Sequence, residues 1–478
     1  MKDEGRTIGD LTEPRVEQRG PAGRGEFAYV DISSIDREAK RIVDPKILSV
    51  AKAPSRAKQV LKAGDVLVSM TRPNLNAVAV VPADLDGSIG STGFHVLRGK
   101  EAESGFLFYA VQTPGFVDAM CQKVQGALYP AVRPRDISSF CLPPFSLGAQ
   151  KKIIAAIETQ FARLEAGVAA LRRVQANLKR YRAAVLKAAC EGRLVPTEAE
   201  QKRTTDDTDG TDKRVLKSVS SVKSVVKNPG YETGAELLAR ILTERRQNWQ
   251  GRGKYKEPSA PDTSSLPLLP DGWTWASLDQ LLGLLRNGIS AKPDAESGLP
   301  MLRISAVRAL SVNLAEARFL NAEASDYPDY ALTEGDLLFT RYNGNPELVG
   351  VCGVVPPLTA PLVHPDKLIR CKLVATGALP DFVAIMANVG ASRNYLAKRV
   401  RTTAGQAGIS GGDLKGLPIP VAPLAEQTRI VAEVERRLSV VDELESVVRA
   451  NLQRATRLRQ SILQKAFTGE LIFEENSA

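Results

Sequence analysis

Histidine is nearly absent: only His95 and His364 occur in 478 residues, one in each half of the chain. Neither has a second His or Cys at ligand spacing, so no zinc site is encoded. With two histidines, no Ser/His/Asp or Cys/His constellation is readable in the sequence either. The five cysteines (Cys121, Cys141, Cys190, Cys352, Cys371) are scattered and odd in number, which speaks against a disulfide framework. No apolar run approaches the roughly 20 residues of a membrane helix. The first twenty residues are polar and lack the apolar core of a signal peptide. A cytoplasmic protein with no membrane partner is expected.

Catalytic signatures are missing as well. There is no GxxxxGK[ST] phosphate loop, which excludes an ATP-driven motor in this chain. Leu142-Pro143-Pro144-Phe145 resembles an adenine-methyltransferase tetrapeptide. Leu142, however, stands where that chemistry needs Asp or Asn to accept a hydrogen bond from the target amino group, so the segment reads as a turn capping a domain. Glu38-Ala39-Lys40 fits the E-x-K fragment of a metal-dependent nuclease, but with 25% charged residues such a triplet arises by chance. No metal, no cofactor and no catalytic residue are expected in this chain.

What is present is duplication. Residues 136–195 and 413–472 align without a gap at a constant offset of 277, placing Gln150 on Gln427, Ile153 on Ile430, Glu158 on Glu435, Arg182 on Arg459 and Gly192 on Gly469. Each copy carries a long helix, expected over 149–192 and 426–470, with a terminal Gly able to adopt the left-handed conformation that ends helices. In the first, Ile154, Ile157, Phe161, Leu164, Val168 and Leu171 step by three and four as a coiled-coil seam does. In the second, Val431, Val434, Leu438, Val441, Val448 and Leu452 occupy the corresponding face. Both helices are acidic early and basic late, which suits the helix dipole and favours antiparallel pairing with each other. The competing reading is two separate amphipathic helices, each packed on its own domain.

Between and before the helices lie variable blocks. Residues 1–148 read as mixed α/β, with β-branched runs such as Gln59–Met70 and Ala77–Val81 broken by Gly, Pro and Asn turns. Residues 193–268 read as a linker with one short helix at about 234–250; within it, 201–214 is charged, turn-rich and expected to be disordered. Residues 269–425 form a second α/β block, and 471–478 a tail. Gly335-Asp336-Leu337-Leu338-Phe339-Thr340-Arg341 echoes the stretch from Gly64-Asp65 to Arg72 with two residues fewer. Leu302-Arg303-Ile304-Ser305 echoes Val30-Asp31-Ile32-Ser33.

The net charge of +10 and pI near 9.3 favour a polyanionic partner. Basic and amide side chains cluster in turn-rich segments of both blocks: Arg72 and Asn74; Tyr129, Arg133 and Arg135; Arg341, Tyr342, Asn343 and Asn345; Arg393, Asn394 and Tyr395; Lys398, Arg399, Arg401 and Gln406. Arg and Asn match the major-groove edges of guanine and adenine, and Lys and Arg neutralise phosphates. Arg72 and Arg341 are the strongest candidates for base contact because they end the same motif. Two reading blocks on paired helices make a caliper, and two contacts on one face of double-stranded DNA lie about 34 Å apart or a multiple of it. A bipartite target with an unread spacer follows.

Lys465-Ala466-Phe467-Thr468-Gly469-Glu470-Leu471, the Leu269-Pro270-Asp271-Gly272-Trp273 lead-in, and Pro420, Pro423-Leu424 and Glu426-Gln427, taken with the duplicated plan, closely resemble the specificity subunit of type I restriction-modification systems. The first block departs from the pattern, lacking the Leu-Pro-x-Gly-Trp lead-in and starting near Ile8-Gly9-Asp10-Leu11. The resemblance implies an α/β fold of two target recognition domains joined by two long helices in an antiparallel coiled coil, with pseudo-twofold repetition. It further implies two modification subunits that bind S-adenosylmethionine and methylate adenine. Restriction subunits that hydrolyse ATP with Mg and cleave DNA would complete the assembly. The chain itself would be a non-catalytic reader; a self-contained methyltransferase or nuclease, and a coiled-coil scaffold that binds no DNA, are the other readings.

Overall fold

A computed structural model describes residues 5–125, 130–202, 230–249, 253–403 and 405–471. The chain divides into two compact units, Met1–Gln175 with Ser446–Ala478, and Ala176–Glu445.

In the first unit a three-stranded antiparallel sheet runs in the order Phe94–Leu97, Val66–Ser69, Val78–Val80. Beside it a four-stranded sheet runs Lys46–Ser49, Glu26–Val30, Ile89–Ser91, Ala57–Val60, with one parallel pairing. Helices Ser104–Ala110 and Pro114–Gln122 follow. Leu142 is buried in a two-stranded ladder with Arg6–Thr7, and Phe145 packs edge-on against Phe106 at 6.0 Å.

The second unit repeats this order of elements. Val66–Ser69 corresponds to Leu337–Thr340, Val78–Val80 to Cys352–Val354, Phe94–Leu97 to Leu368–Leu373, and the two helices to Pro380–Asn388 and Gly390–Ala397. The recurring Gly-Asp explains itself at this level. Gly64 and Gly335 sit at φ 87° and 79°, where a side chain would be strained. The carboxylate that follows is buried in both: Asp65 accepts the Lys62 N–H at 2.8 Å and meets Arg98 at 2.6 Å. Asp336 accepts the Thr333 N–H at 2.7 Å and meets Arg370 at 2.7 Å.

The two long helices span Leu147–Cys190 and Leu424–Thr468, and Gly192 and Gly469 follow them at φ 62° and 85°. Each begins in the core of its own repeat and ends in the core of the other. Ile153, Ala156, Ile157 and Phe161 pack in the first unit together with Ile462, Leu463, Ala466 and Phe467. In the second unit Val185, Ala189 and Leu194 pack with Ile430, Val434 and Leu438. The early part of one helix therefore lies along the late part of the other within each unit, and charge follows. Arg459 meets Glu165 at 3.2 Å and stacks on the Phe161 ring at 3.9 Å. Arg182 pairs with Asp442. The reading of two helices each confined to its own domain is thereby overturned.

Of the seam positions, Ile157, Phe161, Val434, Leu438, Val441 and Val448 are buried; Ile154, Leu164, Val168, Leu171, Val431 and Leu452 are half-buried. In the first unit Leu164, Val168, Leu171 and Ala455 line a groove of about 1000 Å³.

The segment expected to be a linker is instead part of the second unit wherever it is described. Helix Gly234–Gln247 starts from a Thr233/Glu236 capping box and buries Leu237 and Ile241 completely. Leu194 and Thr197 are buried, and Glu198 meets Arg429 at 2.6 Å. Ser277 Oγ donates to Ser259 O at 2.7 Å. The apolar positions of the short helix needed a core to cover them, and the neighbouring block supplies it. Of the stretch expected to be disordered, 203–214 lies outside the described residues.

Candidate nucleic-acid interface

Both units hold the start of their long helix by the same side chain. Gln150 Oε1 accepts the Glu103 N–H at 3.0 Å while its amide donates to Phe145 O at 3.0 Å. Gln427 Oε1 accepts the Leu379 N–H at 3.0 Å and its amide donates to Ala422 O at 2.8 Å. Glu103 and Leu379 are the N-caps of equivalent helices, so each glutamine satisfies a helix-end N–H that would otherwise be orphaned. These tethers connect the long helix to the start of the short helix that follows the central sheet in each unit.

In the first unit the strand Val66–Ser69 runs out into Met70, Thr71 and Arg72. Thr71 bridges to Ala131, the Arg72 N–H donates to Pro130 O at 2.8 Å, and Arg72 adopts a left-handed φ of 49°. Arg72, Asn74, Arg133 and Arg135 are all exposed. The pairing brings the segment carrying Arg72 and Asn74 beside the one leading to Arg133. Tyr129 lies outside the described residues.

The second unit builds the same platform more fully. Tyr342–Asn343, Gln406–Gly408 and Arg401–Thr403 form a three-stranded sheet, joining clusters some sixty residues apart in the chain. Arg401 and Gln406 are exposed, and Asn345 caps a short 3-10 turn by accepting the Glu347 N–H at 3.0 Å. Asn343 Oδ1 accepts the Asn345 N–H at 2.9 Å, and the Arg341 guanidinium stacks on the Tyr342 ring at 4.7 Å.

Two expectations need correction. The pairing registers place Leu337–Thr340 on Val66–Ser69 without a gap. Met70 and Arg341 each receive a backbone bond from equivalent residues, Val132 N–H and Ile409 N–H. Arg341 thus corresponds to Met70, and Arg72 to Asn343. Arg341 is half-buried with Nη1 on Asp366 O at 3.3 Å, so Arg72 is the freer of the two. Arg393 is also not a free surface arginine. Its guanidinium donates to Val349 O at 2.6 Å and to Glu347 O, and burial holds its pKa below the usual arginine range. It fastens the turn that carries Asn345.

A cleft of about 780 Å³ opens in front of Tyr342, Asn343 and Gln406. Lys292, Arg303, Arg308, Arg318 and Lys367 line it, against one carboxylate, Asp366. None of these five was singled out from the sequence. Their only signal there was Arg303 within the repeated Leu302–Ser305 motif. The Glu38-x-Lys40 triplet, by contrast, does not converge. Glu38 meets Arg172 at 3.7 Å, while Lys40 Nζ donates to Asn76 Oδ1 at 2.9 Å and burial pushes its pKa down to about 8. No group of three or more His, Cys, Asp or Glu side chains that could hold a metal occurs among the described residues. No described helix is long and apolar enough to cross a membrane.

No family model matches the chain. It is 33% identical over 371 residues to the EcoKI type I restriction enzyme specificity subunit of Escherichia coli strain K12, covering 77% of this chain and 66% of that protein. The EcoEI specificity subunit of Escherichia coli is 27% identical over 267 residues, 54% of this chain and 45% of that one. The chain belongs to the type I restriction enzyme specificity subunits.

The match spans about two thirds or less of these relatives' length. A solved structure from work on assembly and conformational transition of the type I R-M system shares the fold of this specificity subunit. Its TM-score is 0.64 at 24% identity, over 98% of this chain and 99% of the other. The Leu269–Trp273 lead-in of the specificity subunit has a physical role here. Trp273 is buried and its indole N–H donates to the fully buried Glu426 carboxylate at 2.9 Å, locking the lead-in to the start of the second long helix. In the first repeat, which lacks that motif, the position of Glu426 is taken by Ala149.

Proposed function

We propose that this specificity subunit reads a bipartite double-stranded DNA target, one half-site per unit, and contributes no catalytic residue. The observation that carries the reading is the duplicated platform. Each unit runs its central sheet out into an Arg- and Asn-bearing segment, exposed at Arg72 and Asn74 in the first and at Asn345, Arg401 and Gln406 in the second, and each is closed by the start of one long helix and the end of the other. Loops of this composition on a rigid sheet suit base-edge and phosphate contacts. The unread spacer would be measured by the paired helices; 44 residues make about 66 Å at roughly 1.5 Å per residue.

Two modification subunits, carrying S-adenosylmethionine, would methylate adenine in each half-site. Restriction subunits using ATP and Mg would cleave unmodified DNA, and the assembly would work in the cytoplasm. The test is to map methylated adenines genome-wide with and without this gene, in a strain that expresses the modification partner. A gapped two-part motif that vanishes on deletion is expected; an unchanged methylation map overturns the proposal.

A further inference from the structure

We infer that the two units grip DNA unequally, the second clamping the phosphate backbone through its basic cleft while the equivalent surface of the first cannot. This rests on the DNA-reading function proposed above. The registers make the comparison residue by residue. Strand Leu299–Leu302 pairs with Ala317–Leu320 as Glu26–Val30 pairs with Lys46–Ser49, which sets Arg303 on Asp31 and Arg318 on Lys46. The small hairpins Val307–Val312 and Ile35–Ile42 set Arg308 on Asp36. The backbone N–H of Arg341 donates to Lys367 O as that of Met70 donates to Gly93 O, setting Lys367 on Gly93. With Asn343 on Arg72, Arg341 on Met70 and, from the same hairpins, Ser311 on Arg41, seven positions carry five positive charges in the second unit and a net charge of +1 in the first.

Local structure reinforces the contrast. In the first unit Asp31 neutralises Lys46 at 2.6 Å, and the Asp36 carboxylate accepts the Glu38 and Ala39 N–H groups at 2.9 and 3.0 Å, closing a longer hairpin turn. Both carboxylates are held below their ordinary pKa: at Asp31 burial pushes upward but is outweighed by the bonds from Lys46 and Ser33, and at Asp36 the Ala39 and Glu38 N–H groups hold it down. They stay ionised at any pH where DNA is bound, and would repel a phosphate. In the second unit Arg303, Arg308 and Arg318 are exposed into the cleft, and the nearest acid to Arg303 is Glu316 at 3.6 Å. Arg308 Nη1 also donates to Val307 O at 2.9 Å, yet these exposed guanidinium groups around one cleft, beside the Arg341–Tyr342 stack, keep further N–H donors that suit phosphate oxygens.

The experiment uses the full chain assembled with its modification subunits. Binding is measured against salt concentration on a duplex bearing the motif returned by methylation mapping and on a shuffled duplex. Arg303→Ala/Arg318→Ala/Lys367→Ala should reduce the slope of log K against log salt by about 2 to 3, and weaken both duplexes to the same degree. Asp31→Asn/Lys46→Ala in the first unit should change the slope by less than about 1. An unchanged slope in the triple variant, or an equal change from the first-unit variant, overturns the inference while leaving DNA reading intact. Failure of the unaltered complex to prefer the motif over the shuffled duplex instead overturns the reading on which the inference rests. Melting curves of both variants check that the exposed substitutions leave the fold in place.

Discussion

Gln150 and Gln427 show how much one side chain can organise. Each is buried and satisfies a backbone donor and a backbone acceptor on two different segments. Gln427→Ala leaves the Leu379 N–H and the Ala422 carbonyl without these partners in a dry environment, and should cost about 1–3 kcal/mol of stability. Loss of hydrogen-exchange protection should concentrate at the start of helix Pro380–Asn388, and an unchanged melting profile would contradict the tether. His364 offers a second test. It is fully buried, and burial, aided by the charge of Arg370, pushes its pKa from 6.5 down to about 4. Because the folded state resists protonation, the stability it contributes is present above about pH 6.5 and is lost as pH falls through about 4. NMR titration should find its ring neutral at pH 5, and His364→Gln should lessen the acid sensitivity of the second unit.

At the level of elements, the long helices do two jobs with one periodicity. Their first turns complete their own repeat, and their last turns fill the other: Val185, Ala189 and Leu194 in one unit match Ile462, Ala466 and Leu471 in the other. A change in one helix alone should therefore misplace a core residue, while a matched change in both can be absorbed. Inserting one heptad after Leu171 and another after Val448 adds about 10 Å, or about three base pairs, to the measured distance. Methylation mapping of that variant should return the same two half-sites with a longer gap. An unchanged gap would show that the helices do not set it.

For the whole molecule, duplication implies independence of the two readings. Exchanging residues 269–425 for the corresponding block of another specificity subunit should alter one half of the methylated motif and leave the other as it was. A change in both halves would mean that the blocks do not read separately. The family relationship and the two-part plan accord with this, and the unequal charge of the two platforms predicts that the second block governs salt sensitivity after any such exchange.

The features that depend on neighbours along the chain were settled by the sequence alone: the offset of 277, the two helices with their apolar seam and terminal glycines, and the Gly-Asp turns. Helical period, left-handed glycine and turn chemistry are local properties, so reading them requires no knowledge of the fold. The tertiary structure decided which core each apolar face enters. A stripe such as Val185 and Ala189 looks the same whether it packs on its own block or on the other. The helix at Gly234–Gln247 was legible as a helix, but not the core that Leu237 and Ile241 enter, since amphipathicity does not name its partner. Strand register, too, is set by pairing between distant segments. Only that pairing matched Arg72 with Asn343 rather than Arg341, and gathered Lys292, Arg303, Arg308, Arg318 and Lys367 from three separate stretches of chain around one cleft.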